Sequence, residues 1–165
     1  NLISRKSLLA DAELLLGRIG LQQRKFESVR EHLSAALEAH REVGDDEAVG
    51  FDLAMLIRLA VHSEETQDVV RWSEQLTNHL QGLPRAELLE EIRFGLYRGL
   101  AWLSERGESA GDPLPHLQAA YREILRKATH LEPQLRHHFL FQIAEHREIL
   151  EAATRAGLPL DQDLV

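Results

Sequence analysis

Cysteine is absent from the 165-residue chain, which excludes a disulfide framework, a thiol nucleophile and any thiolate-held zinc or iron–sulfur site. Aromatic residues are scarce, with two Trp, two Tyr and five Phe. Basic residues are outnumbered, 19 Lys and Arg against 27 Asp and Glu, for a formal net charge of -8. That balance argues against a nucleic-acid surface, which needs clustered cations to neutralise phosphates. No apolar stretch approaches the roughly 18 residues that span a bilayer, and no signal-peptide pattern opens the chain. A cytoplasmic protein with no membrane contact is expected. Val, Ile and Thr total 18 against 30 Leu and 18 Ala, a composition that favours helix over strand. The length suits one domain, and a first residue other than Met points to a piece of a longer protein.

A period of 40 residues runs through the chain. It aligns Leu16 with Leu56 and Leu96, Arg18 with Arg58 and Arg98, and Leu9 with Val49 and Leu89. Each block lies in a stretch with apolar residues at i, i+3, i+4 and i+7, the spacing of an amphipathic helix. A second helical pattern follows each block: Phe26, Val29, Leu33, Ala36 and Leu37; then Val69, Trp72, Leu76 and Leu80; then Leu117, Ala120, Tyr121, Ile124, Leu125 and Ala128. Breakers separate the units. Gly44-Asp45-Asp46 offers Asp45 or Asp46 as a helix cap, and Gly82-Leu83-Pro84 places Pro near a helix start. The Gly- and Pro-bearing stretch 106–113 reads as an exposed loop that delays the third unit. The pattern predicts three helical hairpins over about 4–43, 46–81 and 85–130, then one terminal helix over about 133–156. All belong to a single all-α domain with no second domain.

A repeated helix–turn–helix of this length resembles the tetratricopeptide-repeat (TPR) family. Leu16-Gly17 looks like the Leu-Gly pair of that family's first helix, and Phe26 like the aromatic opening the second. Val29, Leu33 and Ala36 fall where the family places a small residue, an aromatic and a small residue. Glu13, Gly20 and Arg24 depart from that pattern, and Ile57 and Ser73 make the second unit a degenerate copy. The C-terminal half, from Leu100-Ala101-Trp102-Leu103 to Glu145-His146-Arg147-Glu148-Ile149-Leu150, is similar to the end of long TPR regions in multidomain, ATPase-associated bacterial transcriptional activators. The resemblance implies a right-handed superhelical stack of hairpins, an α-solenoid of about seven helices. It also implies a regulatory role in signal transduction, with catalysis and DNA contact encoded elsewhere.

The Arg18, Arg58 and Arg98 column is the leading candidate site. Stacked hairpins turn their first helices to one concave groove, where three guanidiniums form a ladder suited to an acidic peptide or a C-terminal carboxylate. The competing reading is that each Arg pairs with a neighbouring Glu and only solvates the groove. Phe51 and Phe94 lie near the proposed groove face and are candidate anchors for a partner side chain. The remaining aromatics, Trp72, Tyr97, Trp102 and Tyr121 among them, fall on apolar stripes and read as core. Phe139-Leu140-Phe141 puts three apolar residues in a row, so one should leave the core and expose a spot for self-association.

Metal and catalytic readings are weaker. His130, His137, His138 and His146 form a His-rich tail, yet His137 and His138 point about 100° apart on a helix. His138 and His146 stand two turns apart with Gln142 between them. No metal site and no cofactor is expected. Asp45, Asp46, Glu64, Glu65, Glu90 and Glu91 read as helix-start and solvated acids. No phosphate-cradling Gly-x-x-x-x-Gly-Lys motif is present, and no catalytic residue is identified. The expected function is a non-enzymatic domain that binds a protein or peptide segment. The alternatives are homodimerisation through Phe139 and Phe141, or a small-molecule pocket lined by Phe51, Phe94 and Tyr97.

Overall fold

A computed structural model describes residues 2–23, 25–83, 89–108 and 110–159. The described residues form helices α1 (Leu2–Gln22), α2 (Phe26–Val43), α3 (Asp46–His62), α4 (Thr66–Leu80), α5 (Leu89–Glu105), α6 (Leu114–Thr129), α7 (Pro133–Phe141) and α8 (Ala144–Arg155), with no strand among them. The first six make three hairpins, α1–α2, α3–α4 and α5–α6, stacked in a solenoid-like row. Local chemistry sets the turns. Gly44 adopts φ 73° and its N–H bonds Arg41 O, which ends α2 in the left-handed conformation that glycine reaches without strain. Asp45, rather than Asp46, caps α3, its carboxylate accepting from Ala48 N–H at 3.0 Å. The expected loop at 106–113 separates α5 from α6; Pro84 and Ser109 lie outside the described residues.

The central helix carries the core. In α3 the run Val49–Ile57 is buried without interruption, followed by Leu59 and Ala60, as a helix apolar on all sides must be. It packs between α2, α4 and α5, with Leu33, Leu76, Leu96 and Leu103 in the same cluster. A second cluster joins Phe94, Leu117, Tyr121, Ile124, Leu140 and Ile149 under the C-terminal helices. Gly95 lets α5 press against α3: a Cβ there would stand 2.5 Å from Ala54 Cβ. Leu56 and Leu96 are buried as their column predicts, but Leu16 and Leu9 are exposed. Those two lie on α1, which packs on α2 and only lightly on α3, so nothing among the described residues covers that side.

The single terminal helix expected over 133–156 is instead two, α7 and α8, broken at Gln142 and Ile143. Ile143 is extended at ψ 117°, and its carbonyl accepts from Arg147 N–H to begin α8. His146 bonds Phe139 O through Nδ1 at 2.8 Å and so satisfies a carbonyl at the end of α7. The bend corrects the expectation of an exposed aromatic. Leu140 is fully buried, while Phe139 and Phe141 are both half-buried against the second cluster. The Phe139 ring lies tilted against His146 with centroids 4.2 Å apart, and Phe141 against His137 at 4.9 Å. By folding back, α8 covers the side of α7 that carries Phe139 and Leu140, while Leu135, His137 and His138 stay exposed.

Candidate functional site

The first helices of the hairpins bring Arg18, Arg58 and Arg98 to one side of the stack, where α8 meets them. Helix α8 packs on α6 and α7 through Ile149, Leu150, Ala152 and Ala153, which leaves Glu145 and Glu148, one turn apart, facing the arginines. Glu145 accepts from Arg98 Nη1 at 2.8 Å and from Arg58 Nη1 at 3.3 Å. Glu148 accepts from Arg98 Nη2 and lies 4.0 Å from Arg58 Nη2. Two guanidiniums and two carboxylates thus form one cluster joining the second hairpin, the third and the terminal helix. Charge-assisted, partly shielded bonds of this kind are stronger than exposed pairs.

Arg18 differs from its two counterparts. It is exposed and has no carboxylate within ion-pair distance among the described residues. Its guanidinium lies over the Phe51 ring, 5.4 Å from the centroid, and Arg98 lies over Phe94 at 4.3 Å. Both rings are only 3% exposed, so Phe51 and Phe94 do not offer free faces to a partner side chain. They form a floor on which a cation can rest.

Because α1 stands off from α3, a cleft of about 170 Å³ opens between them and the start of α8, lined by Arg18, Leu21, Phe51, Met55, Arg58 and Glu91 among others. Phe94 and Tyr97 do not line it; they stack on each other at 5.5 Å. Burial raises the Glu91 carboxyl above the ordinary range, as do the nearby charges of Glu145 and Glu90, while Arg18 pulls it down. The cleft therefore holds two cations, Arg18 and Arg58, and two acids: Glu145, already bonded to Arg58, and Glu91, which retains its proton more readily than usual.

Several functional and buried polar residues lie outside the sequence expectations. Glu145 and Glu148 were signalled only by their one-turn spacing on a polar face. Glu90 is buried and bonded to Lys127 Nζ at 2.6 Å, a correction to its reading as a solvated acid; its place one turn before Phe94, on the side of α5 that packs against α6, is the reason. His40 and Asp52 form a fully buried pair, and an acid inside the run Val49–Ile57 is the one sequence mark of it. Of the His-rich tail, His146 is buried and His130, His137 and His138 are exposed. No group of three or more His, Asp or Glu among the described residues is placed to hold a metal ion, and no described helix is long and apolar enough to cross a membrane. No family model matches the chain, and no curated protein or solved structure matches it.

Proposed function

We propose that the chain is a non-enzymatic helical-repeat module that binds an acidic protein or peptide segment in the cleft edged by Arg18 and Arg58, at the open end of the column that Arg98 completes under α8. The observation that carries this reading is the division within the column. Arg58 and Arg98 already hold an acidic helical edge, Glu145 and Glu148, so the spacing of these cations suits carboxylates one helical turn apart. Arg18 extends the same column over an open cleft and has no carboxylate partner among the described residues. A partner acid reaching Arg18 and the rim of Arg58 would continue the pattern that α8 begins.

By its resemblance to TPR regions of bacterial transcriptional activators, the module is regulatory and cytoplasmic, acting with domains encoded elsewhere. A segment seated between α1 and α3 biases the angle between the first two hairpins, which is how a stacked solenoid converts occupancy into shape. The test uses a fluorescent peptide with Glu at i and i+3 positions on a helical frame, followed by anisotropy at low and high salt. The expected result is saturable, salt-weakened binding that Arg18→Glu reduces by about tenfold or more. Arg18 is the position to change, because Arg58 and Arg98 also brace α8. Equal binding by the native chain and the Arg18→Glu variant overturns the reading.

A further inference from the structure

Helix α1 carries an apolar face that no described part of the chain covers. Leu8, Leu9, Leu15, Leu16 and Ile19 are 41 to 68% exposed, and Ala12 among them is exposed as well. These are not scattered positions. The residues 40 places later, Val49 after Leu9, Met55 after Leu15, Leu56 after Leu16 and Leu59 after Ile19, are all buried in α3. The bare side of α1 thus repeats positions that are buried in α3. A contiguous exposed apolar face of several hundred Å² marks an association site.

We infer that this face pairs with the same face of a second copy, as an antiparallel α1–α1 contact about a two-fold axis. Leu8, Ala12, Leu15 and Ile19 follow the 4-3-4 spacing of a helix–helix seam. Run antiparallel, that seam sets Leu8 against Ile19 of the second copy and the small Ala12 against its Leu15, twice over by symmetry. Arg5 and Gln22 then face each other at the two polar ends of the seam. On one flank Leu9 meets Leu16 of the second copy. On the other Asp11 meets Arg18, an opposite-charge pair that symmetry also repeats and that competes with the proposed acidic ligand for Arg18; both side chains are exposed in the single chain. Every layer is therefore matched in size or charge by the same surface, as a two-fold interface requires. A contact made by one helix from each copy falls at the low end of specific interfaces, so the dimer forms reversibly with concentration.

Sedimentation velocity over a concentration series reads this directly. The native chain moves from monomer to dimer with rising concentration, and Leu15→Glu stays monomeric with unchanged helicity and loses the concentration dependence of Tm that the native dimer shows. Asp11→Arg alone weakens the dimer by about tenfold or more through like-charge contact with Arg18, and the double variant Asp11→Arg/Arg18→Asp restores it. Asp11 also lies 3.5 Å from buried His40, so circular dichroism accompanies each variant, and the restored double variant separates pairing from misfolding. A native chain that remains monomeric throughout overturns the inference and leaves the face to another helix. Dimerisation that survives Leu15→Glu, or that the charge exchange fails to restore, overturns it equally.

Discussion

His40 Nδ1 and Asp52 Oδ2 lie 2.7 Å apart with neither side chain reaching solvent, which joins α2 to α3 by a polar bond inside an apolar seam. Burial pushes the Asp52 carboxyl up to about 6, against the pull of the His40 bond.

That shift makes stability depend on pH in a definite direction. The Asp52 carboxyl titrates higher in the folded chain than its ordinary 3.8, so folding favours the protonated acid. The contribution is fully present below about pH 4 and is lost as pH rises through about 6. Asp52→Asn keeps an acceptor for His40 without the charge. Urea unfolding across this range should show the native chain losing up to about 3 kcal/mol relative to the Asn variant. A difference that does not vary with pH contradicts the assignment.

Gly95 sets how closely α5 approaches α3. A Cβ at this position meets Ala54 Cβ at 2.5 Å and Ala54 Cα at 3.0 Å, and neither atom belongs to a flexible side chain that can swing aside. Gly95→Ala should destabilise the chain by about 1–3 kcal/mol through overpacking. The gain of about 1 kcal/mol in helix propensity offsets only part of that cost. Equilibrium denaturation gives the value, and a stabilised variant would mean that the two helices can separate freely.

Glu91 opposes the acidic ligand proposed for the cleft. Its carboxyl is raised by burial and by Glu145, and a second acid arriving beside Arg18 raises it further. Glu91→Gln should therefore tighten binding of the acidic peptide by about 1 kcal/mol, several-fold in Kd. Binding to the native chain should also strengthen as pH falls through the raised Glu91 titration, a trend the Gln variant lacks. Peptide anisotropy over a pH series measures both effects, and weaker binding by Glu91→Gln counts against a ligand carboxylate in this cleft.

The helical repeat was readable because burial writes itself at helical spacing. Leu33, Leu76, Leu96 and Ile124 all fall where periodicity puts the core. The arginine column was also visible, since a 40-residue period returns the same side of each first helix. Its partners were not. Glu145 and Glu148 reach Arg58 and Arg98 across 47 to 90 positions of chain, and no local pattern encodes which polar edge a terminal helix turns inward. The break at Gln142 and Ile143 escaped notice for a related reason: it contains neither Gly nor Pro, and the packing of α8 on α6, rather than intrinsic turn chemistry, determines it. Phe139 and Phe141 were misplaced as a consequence, because an unbroken helix would have left one of them bare.

Glu145 holds Arg58 of the second hairpin and Arg98 of the third at once, while α8 is seated on α6 and α7. In mechanical terms this is a diagonal strut across the last two hairpins: it ties them at points remote from the loops and resists their sliding past each other. The first hairpin lies outside the strut and is joined mainly along α2. The bracing differs along the molecule: the last two hairpins share a strut from outside their own turns, while the first is tied to the second face to face, by His40 to Asp52 and by Arg30 to Glu65 and Asp68.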